Sequence, residues 1–399
     1  YAQVLDAEWD VLIVDEAHHL EWTPELSSTA YQMVEKLAQK IPSVLLLTAT
    51  PQQLGPEGHF ARLRLLDPAR YNNLETFIEE SEHYQEMAEL VERIDSQNEL
   101  TSTDWEIIKK SSSHLYEQNS GKKSLTSADR SKLIENIIDS FGPGRVMFRN
   151  TRQALKGFPK RQSVLHPLDS STEEISTFDQ KIDWLIDWLA EHKDEKVLLI
   201  CQTRELVEQI YEAVQKHVNL NLSQFHEGLN LIQRDRQAAY FADPKGARVL
   251  LCSEIGSEGR NFQFAHHLIL WDLPENPELV EQRIGRLDRI GQTDTIHIHL
   301  PYIKESSEEV WAQFYEQGLG IFNHPVPTAL ILANQFGENL KKLGSEFDAE
   351  ALQALISEIS EARETLGEKM ENGYLRLLAR NSNKPGQSEE LSEQIKESD

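Results

Sequence analysis

Residues 9–19 read WDVLIVDEAHH, and the rest of the chain falls into place around them. Val11 to Val14 are four consecutive apolar residues, and two carboxylates, Asp15 and Glu16, follow at once. A short continuous apolar run reads as a strand covered on both faces, as in parallel sheets. Polar residues just past such a strand stand at its carboxyl end, where open α/β sheets bind ligands. There the first carboxylate can hold Mg²⁺, directly or through water, and the second can orient and deprotonate an attacking water. A plain solvated strand end would also leave two acids in that place. His18, which completes Asp-Glu-Ala-His, favours the chemistry, whereas His19 reads as a packing or solvent residue.

Outward from this point, SVLLLTAT (43–50) reads as a second buried strand, and YQMVEKLAQK (31–40) between the two as an amphipathic helix. Thr48 and Thr50 end the second strand, where their hydroxyls can hydrogen-bond the acidic loop. Residues 72–142 are polar and acidic with helical patches, the last stopped by Gly142-Pro143-Gly144, and are expected to form a helical insertion. SSSHLYEQNSGKKSLTS (111–127) is a loop by composition. Residues 145–161 carry six Lys/Arg and no acid, a candidate phosphate-contacting stretch or a solvated linker. Residues 162–177 read as a linker. From 178 onward, strands KVLLIC, LSQFHEG, RVLLCS, HLILWDLP and TIHIHLPYI alternate with helical stretches, the pattern of a second doubly wound parallel sheet. Residues 323–381 are mostly helical, and the acidic end at 386–399 is expected to fray.

Composition narrows the function classes. A length of 399 residues accommodates two or three domains. No apolar run is long enough for a transmembrane helix, and YAQVLDAEWD does not read as a signal peptide. The chain begins at Tyr1 rather than Met, which suggests a truncated sequence. Its two cysteines, Cys201 and Cys252, end apolar runs and read as buried free thiols in a reducing cytoplasm. A net charge of −26 argues against nucleic-acid binding as the sole task, but leaves room for a local basic cleft.

Two further motifs carry chemistry. In NPELVEQRIGRLDRIGQ, Asn276 can N-cap a helix and Pro277 suits its first position, with Gly291 as the stop. A helix over about 277–290 puts Gln282, Arg286 and Arg289 on one face. Two guanidinium groups so placed could stabilise charge developing on a γ-phosphoryl group; a surface helix paired with Glu278 and Glu281 is the alternative. In LLCSEIGSEGRNFQFA, a strand ending at Ser253 leads into a loop whose Gly256 and Gly259 permit close approach to a phosphate or ribose.

Asp-Glu-Ala-His, Thr-Ala-Thr, the Ser…Glu-Gly-Arg-Asn loop and Gln-x-x-Gly-Arg-x-x-Arg occur in the order of superfamily 2 helicase motifs II, III, V and VI. The chain resembles the Swi/Snf-type branch, whose motif VI ends Arg-Ile-Gly-Gln, as at 289–292. Within that branch FRNTRQALKGFPKR, LLLTATPQQLG and HFARLRLLDP are similar to the bacterial ATPases that associate with RNA polymerase. The likeness is specific over about residues 1–320.

The resemblance implies an α/β fold of two RecA-like parallel-sheet lobes, the first partial, with a helical insertion and C-terminal helices. The expected divisions are 1–71 for part of lobe one, 72–142 for the insertion, 143–177 for a basic strand or linker between the lobes, 178–322 for lobe two, and 323–399 for helices and tail. It implies an ATP-driven translocase with ATP and Mg²⁺ as cofactors, DNA or RNA and RNA polymerase as partners, and a monomeric, cytoplasmic motor. Asp15 and Glu16 would serve Mg²⁺ and the hydrolytic water, with Arg286 and Arg289 as arginine fingers. His18, Thr48, Thr50 and Gln282 would couple to the nucleotide, with Gly259 and Asn261 near it. Thr203, Arg204, His226, Gly228 and Ser253 would lie toward the nucleic-acid strand. The phosphate-cradling Gly-x₄-Gly-Lys-Ser/Thr is absent, and SGKKS (120–124) does not meet its pattern, so the 399-residue chain by itself is expected to hydrolyse ATP poorly. The alternatives are a Swi/Snf-type translocase or helicase with another partner, or a non-hydrolysing module that binds polymerase or nucleic acid. A metal hydrolase built on His297 and His299 is disfavoured, because no acid or Cys stands near them at ligand spacing.

Overall fold

A computed structural model describes residues 4, 7–48, 55–96, 100–111, 116–117, 125–141, 158–169, 176–254 and 262–371. The chain divides into two compact units, residues 1–154 with 368–399, and residues 155–367.

In the first unit β1 (Val11–Val14) and β2 (Ser43–Leu46) pair in parallel, Val11 opposite Ser43 and Val14 opposite Leu46. The helix Thr29–Ala38 makes the crossover, capped by Ser28, whose hydroxyl accepts from the Tyr31 N–H at 3.1 Å. This helix and Gly55–Leu66 close one face of the sheet, packing Tyr31, Val34, Ala61 and Leu65 against Leu12, Val14 and Leu46. The buried Tyr31 hydroxyl donates to the Ala61 carbonyl at 3.0 Å. The expectation of strands covered on both faces fails here. Among the described residues only one face is covered, and Val11, Ile13, Leu45 and Leu47 are 43–60% exposed.

The expected insertion is helical where it is described. Leu74–Asp95, Ser102–Ser111 and Ser127–Phe141 share a small core of Leu90, Val91, Ile94, Ile108, Leu133 and Ile137. Most of the loop 111–127 lies outside the described residues.

Among the described residues the second unit holds one parallel sheet. Its strands are β3 (Arg161–Leu168), β4 (Val197–Cys201), β5 (Leu222–Phe225), β6 (Val249–Ser253), β7 (His267–Leu270) and β8 (Ile296–Ile303). Their spatial order is β3-β8-β7-β4-β6-β5, and every pairing is parallel. The apolar runs are buried throughout, and the two-residue strand period sorts them into two cores. Val197, Leu199, Cys201, Leu251 and Ile269 pack under the helices Thr177–Glu191 and Arg204–His217. Leu198, Ile200, Cys252, Leu268 and Leu270 face the helices Leu231–Ala242 and Pro277–Ile284. Both thiols are buried and unbridged.

One segment departs from expectation. Residues 161–168, read as connector, form the edge strand β3, in register with β8 from Arg161–Ile296 to Leu168–Ile303. Pro167 is tolerated because β3 is an edge strand. The helices Ala329–Ser345 and Ala349–Glu371 pack on the sheet. Leu332, Phe336, Leu340, Leu352, Ile356 and Ile359 belong to the same core as Leu198 and Leu268. Among the described residues no helix is long and apolar enough to cross a membrane.

Candidate functional site

In the first unit the ladder continues past the strand ends. The Leu47 N–H donates to the Val14 carbonyl, and the Ala17 N–H to the Leu47 carbonyl, both at 2.8 Å. This carries Thr48 alongside His18, with Thr48 Oγ1 3.3 Å from His18 Nδ1. Asp15 is exposed, and its Oδ1 accepts from the Glu16 N–H at 2.9 Å. Glu16 takes a left-handed conformation at φ 49°, unusual for a residue with a Cβ and a strain worth about 1–3 kcal/mol where surroundings enforce it. That turn brings Glu16 Oε2 within 3.2 Å of His18 Nδ1. Asp15, Glu16, His18 and Thr48 thus form one cluster at the carboxyl end of β1 and β2, with His18 buried and Asp15 open to solvent. His19 is exposed. Thr50 lies outside the described residues.

In the second unit the predicted residues again collect at carboxyl ends. Thr203 follows β4 and caps the helix Arg204–His217, its hydroxyl accepting from the Leu206 N–H at 3.3 Å. His226 follows β5 and is buried, which lowers its pKa. Ser253 ends β6 and donates to Glu227 Oε2 at 2.6 Å. Burial alone would raise the Glu227 pKa; this hydrogen bond and other favourable contacts reverse the shift and keep it low. Arg204 pairs with Glu208 at 2.7 Å and lies across Gly228, where a Cβ would fall 2.6–2.8 Å from the guanidinium. Gly256, Gly259 and Asn261 lie outside the described residues, as does the basic stretch up to residue 157. Arg161, the last member of that stretch, is not available to a phosphate. Its side chain is 3% exposed and bound to Glu281, Asp288 and the Ile321 carbonyl.

The arginine motif is built differently from the expected long helix. Asn276 Oδ1 accepts from the Glu278 N–H at 2.9 Å and Pro277 begins the helix, but it ends at Ile284 rather than near 290. Beyond Gly285 the backbone tightens, with Leu287 N–H donating to Ile284 O and Gln292 N–H to Arg289 O. Leu287 is buried and Asp288 is drawn to Arg161, so the segment folds inward as turns. Gln282, Arg286 and Arg289 therefore do not share a helical face. Gln282 stays on the helix, and Arg286 and Arg289 sit in the turns, Arg286 buried and Arg289 donating from Nε to the Gly285 carbonyl at 3.1 Å. Gly291, at φ 98°, closes the segment in a conformation suited to glycine.

Sequence reasoning passed over Arg283 and Gln292. Arg283 is 1% exposed and binds Glu254, just past β6, and both the carboxylate and carbonyl of Asp272, past β7. Burial would lower its pKa, and these two acids more than offset that. Asp272 in turn accepts from the Gln202 N–H past β4 at 2.9 Å. One guanidinium thus ties the arginine segment to the carboxyl ends of β4, β6 and β7. Gln292 donates to the carbonyls of Gln263 and Ala265 at 2.7 and 3.1 Å and fixes the turn ahead of β7. The excess of Arg over acid near 283 was visible, but its acids come from 29 and 11 residues away.

Residues 180–291 match the family described as helicase conserved C-terminal domain, and residues 295–399 the RNA polymerase recycling family C-terminal. The second unit therefore contains a helicase-type parallel-sheet lobe. The chain is 44% identical over 98% of its length to the RNA polymerase-associated protein RapA of Pseudomonas putida strain GB-1. It is 46% identical over its whole length to the same-named protein of Haemophilus influenzae strain PittEE. The chain aligns with these RapA proteins along nearly its whole length, and it spans 45% and 43% of those two relatives. Solved structures similar to it include the Sulfolobus solfataricus SWI2/SNF2 ATPase core in complex with dsDNA, at 17% identity, covering 86% of this chain and 74% of that one, TM-score 0.33. Another is the C-terminal part of the Fun30 ATPase domain, at 15% identity, covering 66% and 94%, TM-score 0.33.

Proposed function

We propose that this chain carries part of an ATP-driven nucleic-acid translocase that works on RNA polymerase in the bacterial cytoplasm, remodelling stalled transcription complexes and recycling the enzyme. The observation that supports it most is the Asp15–Glu16–His18–Thr48 cluster at the carboxyl end of β1, in a chain so similar to proteins named for association with RNA polymerase. The exposed Asp15 carboxylate is a hard oxygen donor and fits Mg²⁺, which when bound would neutralise phosphate charge. Asp15 holds that side of the site, and Glu16 orients a water and takes its proton. His18, touching both Glu16 and Thr48, passes the state of the acidic turn to β2. Arg286 and Arg289 supply positive charge to the transferring phosphoryl group, with Arg283 setting the position of their segment. Gln282, Gly259 and Asn261 lie on the nucleotide side in this reading, and Thr203, Arg204, His226, Gly228 and Ser253 face the DNA or RNA backbone.

The test is nucleic-acid-stimulated ATP hydrolysis and polymerase association in the protein as encoded. Glu16→Gln should lower hydrolysis about 100-fold or more while polymerase still co-purifies. Arg286→Ala should cost about 1000-fold. Hydrolysis undiminished by Glu16→Gln, or a protein that never associates with polymerase, would overturn the proposal.

A further inference from the structure

At the opposite end of the second sheet lies a cluster that the proposed motor does not use. β7 opens with His267, directly preceded by His266, and Glu195 stands just before the adjacent strand β4. Glu195 Oε2 is 3.0 Å from His266 Nε2 and 3.7 Å from His267 Nε2. The three ligating atoms all lie within 4.8 Å of one another. Two imidazole nitrogens and one carboxylate oxygen suit a borderline divalent transition ion. A tetrahedral ion held at ~2.0–2.1 Å from each donor would separate the donors by ~3.3 Å, a value that the two measured spacings bracket.

The backbone beneath the three residues is fastened. Arg248 donates to the carbonyls of Leu189, His192 and Glu195, clasping the turn that presents Glu195. The Glu195 N–H donates to the His192 carbonyl at 3.2 Å. The His266 carbonyl accepts from the His297 N–H of β8 at 2.8 Å.

A second observation concerns the other ring nitrogen of His267. His267 Nδ1 meets His299 Nε2 at 3.0 Å, and His299 Nδ1 meets His166 Nε2 at 3.1 Å. A metal-ligating histidine ordinarily gives its other nitrogen to a fixed partner, which sets its tautomer and ring orientation. With each proton on Nδ1, the row donates from His267 to His299 to His166 and leaves a lone pair on His267 Nε2, the atom facing Glu195. The Glu195–His267 separation is too long for a hydrogen bond, so that nitrogen gains little from the carboxylate alone.

We infer that Glu195, His266 and His267 form a binding site for a borderline divalent transition metal ion of the Zn²⁺ type, clipping the amino ends of β4 and β7 together. It lies at the opposite end of the sheet from Thr203, His226 and Ser253, so metal occupancy and nucleic-acid contact are separable. The rival arrangement is a simple ion pair between Glu195 and His266.

The test is calorimetric titration of the metal-stripped 399-residue chain with Zn²⁺, alongside absorption spectra with Co²⁺ as probe. Glu195→Gln and His266→Gln are the variants. Both side chains are about a third exposed, so neither change opens the core, and circular dichroism checks the fold. One saturable equivalent is expected, weakened about 10-fold or more in each variant, with the d–d bands of bound Co²⁺ lost in parallel. His19→Gln, which alters the other histidine-bearing turn, should leave that equivalent intact. Absence of saturable binding, or an equivalent undiminished in both variants, leaves only the ion pair and overturns the inference.

Discussion

Arg283 shows how much one side chain can hold. Its guanidinium is almost wholly enclosed and satisfied by Glu254 and Asp272, which are themselves mostly shielded. Removing one member of such a set strands the others without a counter-charge. Arg283→Met should therefore destabilise the second unit by on the order of 3 kcal/mol, read as a lower urea midpoint. Gly228 gives the opposite expectation. The atoms nearest a methyl there are the far end of the flexible Arg204 side chain. Gly228→Ala should shift stability by no more than about 0.5 kcal/mol. The displaced Arg204 should weaken binding to single-stranded nucleic acid, as followed by fluorescence anisotropy. Unchanged binding would remove Arg204 from the proposed track.

At the level of elements, the edge strand β3 contributes a pH response. Burial, helped by repulsion from His192, pulls the His166 pKa down to about 4, below an unfolded value near 6.5. A group that binds its proton less readily when folded adds stability above the unfolded pKa and loses it as pH falls toward the folded one. Relative to His166→Phe, the native chain should thus lose stability between about pH 6.5 and pH 4, measured by denaturant titration with chelator present. β3 also marks where sequence reading stopped. Val197–Cys201 and Val249–Ser253 were legible as strands because uninterrupted apolar runs have one physical solution in a doubly covered sheet. Arg161–Leu168 carries an Arg, a His and a Pro, and is a strand only because β8 offers a partner 135 residues away. The acidic turn was legible, since Asp15, Glu16 and His18 are local to one strand end. The helix reading of 277–290 ran too far, because the pull of Arg161 on Asp288 is long-range and leaves no local period.

For the molecule as a whole, the two units differ in how well they are covered. Among the described residues, the second has a sheet enclosed on both faces, and the first a two-stranded sheet enclosed on one. Calorimetry should resolve two transitions, the first unit melting at the lower temperature; a single sharp transition would show that the units unfold as one. The absence of a phosphate-cradling Gly-Lys-Ser/Thr from residues 1–399 leads to a second expectation, ATP turnover near background by this polypeptide with or without nucleic acid. DNA-stimulated turnover by the purified polypeptide would refute it.

The seam between the two family matches, at 291 and 295, falls just before β8, and β8 is an inner strand flanked by β3 and β7. The segment from 295 onward is therefore not an appended tail, because it carries an inner strand of the sheet. Whatever replaces it must bring its own inner strand and the aliphatic lining that goes with it. A polypeptide ending at 291 would leave β7 with a bare row of amide and carbonyl groups, and such molecules should zip together side by side into precipitate.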